Sequence, residues 1–341
     1  MPDSLRKRDV DLVKCIALFC IVCIHACGNG YYCEYGSFDW LSTVFWGSLT
    51  RAGVPLFLMC SGALMLDPDK PLPLGKLWGK NILRLVLALF FWAAVYGLYR
   101  LADARDLGAA SLWQLLKDLL QFRHESHLYF IQIMLLVYAL LPVTRLLTEK
   151  ASRQTVEYFL LIWFALGIVH PTLRPYWPLR QFGDIVGQWG LNLTWSGIGY
   201  GVLGWYLHRY GADRKLLWGG LFALGFCATF FGTWRLSAGH WPVFEGFFNG
   251  NTVNVCLMAV GLYGLCLGVR AGAWTEFFSR ASFCVYLSHM LVLLLFQKIP
   301  FSSQTLPCIV SIPLVALSAI ACCTPLYLLL RRVPFARQWL I

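Results

Sequence analysis

The chain has 341 residues, of which 58% are hydrophobic and 13% charged, with a mean hydropathy of +0.62. Soluble domains carry about 25% charged residues, so this deficit, with 15 Trp and repeated long apolar runs, excludes an ordinary soluble domain. It predicts an all-α polytopic protein whose solvent is the lipid bilayer. The net charge of +11 comes from basic residues scattered through short loops, which is orientation signalling and not a nucleic-acid footprint.

The first apolar run, DVDLVKCIALFCIVCIHACGNG, lacks a small-residue cleavage site and is flanked by Asp9, Asp11 and Lys14, so it reads as a retained helix. It carries Lys14 near one end and His25 near the other. Ionisable residues inside such a run are costly to place and mark function by default. Eleven positions at 1.5 Å per residue set them about 16 Å apart along the axis. Cys20, Cys23 and Cys27 share a face of this helix, but buried free cysteine behaves as a small hydrophobe and structural zinc needs four close ligands. No metal is expected.

The apolar pattern predicts ten spans, at 11–30, 43–66, 81–101, 127–147, 155–170, 191–208, 215–235, 251–269, 281–298 and 307–330. Lys and Arg concentrate on the side of the termini, from Arg6, Lys7 and Arg8 through Lys76 and Lys80 to Arg331, Arg332 and Arg337. Both termini are therefore expected to be cytoplasmic, with odd-numbered spans running outward. No extramembrane domain is visible, so residues 1–341 read as a single transmembrane domain. SLWQLLKDLLQF suits an amphipathic helix along the interface. The Pro-, Trp- and Arg-rich stretch 171–190 suits either an interfacial aromatic belt or a sugar-contacting outer loop.

In the second span Arg51 falls in the outer third, ahead of AGVPLFLMCSG. There Pro55 interrupts the backbone ladder, and Gly53, Ser61 and Gly62 permit close helix packing. Arg84 lies just inside the cytoplasmic end of the third span, in KNILRLV. His127 opens the fourth span on the outer side, in HESHLYF, and His289 sits near the middle of the ninth, in SFCVYLSHM. Two polar clusters result: Lys14 with Arg84 toward the cytoplasm, and His25, Arg51, His127 and His289 deeper and outward. Singly, each has a plain explanation, as a snorkelling cation, an interfacial residue or a hydrogen-bonded packing histidine. Their common depth favours a polar cavity.

RDVDLVKCIALFCIVCIHA, TRAGVPLFLMCSGALML, HLYFIQIMLLVYALLP, YGVLGWYL and SFCVYLSHMLVL occur in an order that resembles the acyltransferase-3 family of integral membrane acyltransferases. Over nearly the full length the pattern is most like the family's enterobacterial common antigen O-acetyltransferase branch. Lys14 and His25 keep the family's first-helix spacing, with lysine where many relatives have arginine. Gln132 stands where the family often has a glutamate, and the appended hydrolase-like domain of some longer relatives is missing.

The resemblance implies transfer of an acyl group, usually acetyl, from a cytoplasmic acyl-CoA to a hydroxyl of a surface polysaccharide or lipid-linked saccharide, by a multi-pass protein of the bacterial inner membrane. On this reading acetyl-CoA is the donor substrate, and Lys14 and Arg84 hold its phosphates through charge-assisted hydrogen bonds. Its pantetheine arm spans the Lys14–His25 separation. His25 acts as general base or forms an acetyl-histidine. Arg51 stabilises the oxyanion or holds the acceptor, and His127 and His289 orient the acceptor or relay protons. The alternative is a glycolipid or small-anion transporter or flippase, which also uses intramembrane charges and broken helices. No internal repeat between halves supports it.

Overall fold

The computed structural model describes residues 7–176, 179–182, 188–299 and 301–341, and every regular element among them is helical. Arg6 and part of the 171–190 stretch lie outside the described residues. Helix α1 (Arg8–Ala26) carries Asp9 and Asp11 in its first turn, where carboxylates complement the unpaired N–H groups, and gives way to a 3-10 turn at Gly28–Tyr32. Helix α2 (Phe38–Leu49) is capped by Ser37, whose Oγ accepts from the Trp40 N–H at 3.2 Å. A turn at Thr50–Ala52 separates it from α3 (Gly53–Met65). Pro55 falls within the first turn of α3, where its missing N–H costs no helical hydrogen bond. The expected interruption is thus one turn earlier than Pro55 and centres on Arg51.

A π turn at Leu77–Ile82 leads into α4 (Leu83–Asp103). Helix α5 (Ala109–Leu120) has no buried residue and leaves Leu112, Trp113, Leu116 and Leu120 exposed. Helices α6 (Tyr129–Ala139) and α7 (Leu141–Glu149) meet at a 57° bend with Pro142 at the start of the second. Then come α8 (Arg153–Phe164), α9 (Leu193–Tyr210), α10 (Lys215–Leu236), α11 (Val253–Cys266), α12 (Ala273–Phe296), α13 (Cys308–Leu330) and α14 (Pro334–Trp339).

Among the described residues seven helices are long and apolar enough to cross a membrane, or eight if the bent α6–α7 pair is one span. The predicted spans 191–208 and 251–269 do not join them. They become α9, with 18 residues, and α11, with 14. At 1.5 Å per residue α11 is about 21 Å long, short of a hydrocarbon core of about 30 Å. Both are inner helices that bury much of their length against protein, so they need less of the apolar surface that lipid demands.

Helix α1 lies at the centre and packs on α2, α3, α11, α12 and α13. It runs parallel to α12. Near the starts of the two helices Ser279 Oγ donates to the buried Asp11 carboxylate at 2.5 Å, and toward their ends the His25 and His289 rings lie 5.2 Å apart. Lys7 ties the start of α1 to the end of α3, donating to the Ala63 carbonyl at 2.9 Å and pairing with Asp67 at 3.0 Å. Helices α3 and α9 approach backbone to backbone: a Cβ on Gly62 would stand 1.8 Å from the Gly201 carbonyl oxygen, and one on Gly204 2.1 Å from that of Met59. Such small-residue contacts are how helices associate where no hydrophobic effect drives them.

Gly62→Ala should therefore force α3 and α9 apart and lower stability by about 1–3 kcal/mol. A lowered unfolding temperature in detergent is expected, with Gly75→Ala unchanged because a Cβ there meets nothing within 4 Å.

Candidate active site

Three imidazoles converge where α1, α6 and α12 meet. The ring centroids are 6.1 Å apart for His25 and His127, 5.2 Å for His25 and His289, and 5.4 Å for His127 and His289. His127 is enclosed by protein. It belongs to the 3-10 turn Ser126–Leu128 that feeds α6 and is 2% exposed. His289 is fully buried, and its Nδ1 lies 2.7 Å from the Tyr286 carbonyl and 3.2 Å from that of Val285. A carbonyl only accepts, so Nδ1 carries a proton, and in neutral His289 the lone pair is left on Nε2. That Nε2 and both nitrogens of His127 have no hydrogen-bond partner of ordinary geometry among the described residues.

Arg51 faces the same space from the break between α2 and α3. Its Nε donates to the Gly47 carbonyl at 3.0 Å, its Nη2 to the Tyr31 hydroxyl at 3.1 Å, and its guanidinium carbon stands 3.6 Å above the Phe248 ring. Gly47 is required here, because a Cβ would lie 2.0 Å from the Tyr31 hydroxyl oxygen. None of these partners is a carboxylate, so the positive charge is oriented without being neutralised. A cavity of about 180 Å³ is lined by His25, Arg51 and His127 together with Ile21, Val54, Phe130, Tyr129 and Tyr286. No Asp or Glu lines it. The outer cluster expected from the sequence is thus assembled, with His289 touching both other rings from behind the cavity wall.

The pair expected on the cytoplasmic side is less unified. Lys14 shares the face of α1 that carries Ile21 and His25, since intervals of seven and eleven residues nearly complete whole helical turns. It is half-buried. Arg84, on α4, places its guanidinium 5.0 Å from the Phe283 ring and donates to the Ile341 oxygen. No hydrogen bond, ion pair or ring contact links Lys14 to Arg84 among the described residues. Residues following α13 hold this corner: Trp92 Nε1 donates to the Leu340 carbonyl at 3.1 Å, and Leu340 and Ile341 pack on Cys284. Above Arg84, Phe283 and Tyr286 on α12 and Phe130, Met134 and Tyr138 on α6 repeat at helical spacing toward the histidines. Tyr286 donates to the His127 carbonyl, and its ring lies 5.5 Å from Phe130.

Sequence reasoning did not single out Tyr31, Tyr96, Phe248 or Tyr286. Tyr96 lies 4.9 Å from the His127 ring and donates to the Leu287 carbonyl at 2.8 Å. Tyr286 carried a signal, being three residues before His289 on the same helical face. Tyr31 and Phe248 come from turns after α1 and before α11, and no periodicity marks them.

A buried imidazole cluster and an oriented guanidinium thus face one space within a multi-pass helical membrane protein. Residues 7–328 match the family model described as an acyltransferase domain, so the chain belongs to the acyltransferase-3 family and is a membrane acyltransferase. No curated protein and no solved structure matches it.

Tyr31→Phe removes the hydroxyl that aims Arg51. A hydrogen bond to a charged group is worth about 1.5–3 kcal/mol, so acyl transfer should fall at least tenfold while donor affinity and unfolding temperature stay near wild type. Steady-state kinetics with a parallel melting curve checks this.

Proposed function

We propose that the protein is an O-acetyltransferase that moves acetyl from cytoplasmic acetyl-CoA to a hydroxyl of an extracytoplasmic surface glycan or lipid-linked sugar. The observation that carries this reading is the cavity in which His25, Arg51 and His127 face one another without a carboxylate. A hydrolase triad would orient its histidine with Asp or Glu; here the backbone carbonyl of Tyr286 orients His289. The branch resemblance of the sequence motifs points to a repeat-unit or polysaccharide acceptor made at the bacterial inner membrane.

The topology that suits this reading has ten spans, counting the inner helices α9 and α11, and cytoplasmic termini. The parallel run of α1 and α12 agrees with two odd-numbered spans pointing outward. Lys14 and Arg84 then lie on the cytoplasmic side, where CoA phosphates can reach them. A donor phosphate at Arg84 takes the place of the Ile341 oxygen. An extended pantetheine arm matches the axial distance of about 16 Å from Lys14 to His25, and the aromatic rows on α6 and α12 provide apolar walls for it.

In the transfer step, a nitrogen of His25 takes the proton of the acceptor hydroxyl as its oxygen bonds to the thioester carbonyl carbon. The carbonyl oxygen becomes the oxyanion, and the Arg51 guanidinium stabilises it. Collapse of the tetrahedral intermediate breaks the carbon–sulfur bond, and the departing CoA thiolate takes the proton from the His25 imidazolium. His127 and His289 hold the imidazole and acceptor in place and offer a relay for the proton. Arginine at position 51 supplies a planar donor fork that lysine would not.

His25→Ala should abolish glycan acetylation while expression and CoA binding persist, and full activity in that variant would sink the assignment. Lys14→Ala should raise the apparent KM for acetyl-CoA more than it lowers kcat; the reverse pattern removes Lys14 from the donor site. CoA should raise the melting temperature of the purified protein, whereas a glycolipid flippase would show no such response.

A further inference from the structure

His25 lines a second, smaller cavity on its other side. The space is about 40 Å³ and lies between the ends of α1 and α12 and the loop before α13. Its character is different. The cavity that Arg51 faces is walled by Ile21, Ile24, Val54, Phe130 and aromatic rings, whereas Asn29, Gln297, Ser302 and Ser303 line this one beside the apolar Leu293, Phe296, Phe301 and Val315. Ser303 is 2% exposed, and its hydroxyl has no hydrogen-bond partner among the described residues. Its backbone is held, because its carbonyl accepts from Ser311 and from the Cys308 thiol at 3.2 Å. The Asn29 turn is held likewise, its carbonyl accepting from Gln304 Nε2 at 3.1 Å. The crevice is therefore built, and it contains a buried polar group waiting for a partner.

Gln297 also lines an outer groove of about 340 Å³ with Tyr99, Arg100, Asp103 and Lys298. Ion pairs fix its walls: Arg100 with Glu125, and Lys298 with Asp103 at 2.5 Å. An aromatic ring among closely spaced donors and acceptors is the lining that a polyhydroxylated ring needs, apolar on its faces and hydrogen-bonding at its edge. The crevice itself has room for only a few water-sized groups, too little for a sugar ring.

We infer that the crevice lined by Asn29, Gln297, Ser302 and Ser303 is the acceptor subsite, taking one hydroxyl and its carbon from a polyhydroxylated molecule whose ring rests in the outer groove. This rests on the acetyl-transfer reading above and adds where each substrate lies: the acyl thioester in the apolar cavity beside Arg51, the acceptor hydroxyl in the polar crevice, and His25 where the two adjoin. Ser303 and Gln297 are positioning residues. They hold the hydroxyl so that its proton points to His25 and its oxygen to the carbonyl carbon.

The test separates the two substrates. Ser303→Trp should fill the crevice and Gln297→Trp its entrance. Each should lower alkali-released acetate on the surface glycan of expressing cells at least tenfold. The same purified variants should keep the CoA-dependent rise in melting temperature within twofold of wild type. Ser303→Thr, which keeps the hydroxyl, should restore most of the glycan acetate. Gln297 is exposed, so its variant remains informative if Ser303→Trp does not fold. Unchanged glycan acetate in Gln297→Trp, or loss of the CoA-dependent stabilisation in parallel with it, would overturn the acceptor assignment. A wild-type protein that shows no CoA-dependent stabilisation would instead overturn the donor reading beneath it.

Discussion

The contact on which the site depends is the parallel seam between α1 and α12. Near its start it is pinned by polar pairs, Ser279 to Asp11 and the Cys15 thiol to the Thr275 carbonyl at 3.1 Å. Toward its end it brings His25 against His289. Two long helices of nearly featureless apolar surface have many registers of similar energy. Buried hydrogen bonds select among them, because a slip would cost the buried Asp11 carboxylate its bond from Ser279 in a low-dielectric interior. The geometry of the histidine cluster is thus set partly by residues a long way along α1 from it.

Enclosure follows from the same seam. Polar side chains on α1 cannot face lipid without cost, and α2, α3, α11 and α13 surround the helix. That crowding depends on small residues. Gly53 meets Cys20 and Ile21 of α1, and Gly62 lets α3 reach the backbone of α9. Of the helices that fall short of a membrane span by length or composition, α9 and α11 bury much of their length in this interior, whereas α5 buries none.

Arg51 shows how a charge is kept useful in such a place. A carboxylate partner would neutralise it and compete with any developing oxyanion. The Gly47 carbonyl, the Tyr31 hydroxyl and the Phe248 ring supply dipoles and a quadrupole instead. These orient the guanidinium and offset part of its desolvation while leaving its field directed into the cavity. The break at Thr50–Ala52 allows it, since there the Arg51 N–H turns to the Ser48 carbonyl at 3.3 Å and leaves the Gly47 carbonyl to the guanidinium.

The sequence by itself determined the helical membrane class and the family, and it marked out the ionisable residues within the apolar runs. Composition and apolar run length depend only on what lipid tolerates, and His25, Arg51, His127 and His289 were conspicuous because such residues are costly in hydrocarbon. It also placed Lys14 and His25 on one face, since helical periodicity is local. Only the tertiary structure decided that His127 is enclosed by protein, that α9 and α11 are inner helices, and that Arg84 is engaged by Ile341. Tyr31, Phe248 and the two cavities meeting at His25 belong to that second set as well. They arise where loops and helix ends distant in the chain come together, and no periodicity in the chain encodes which of them will meet.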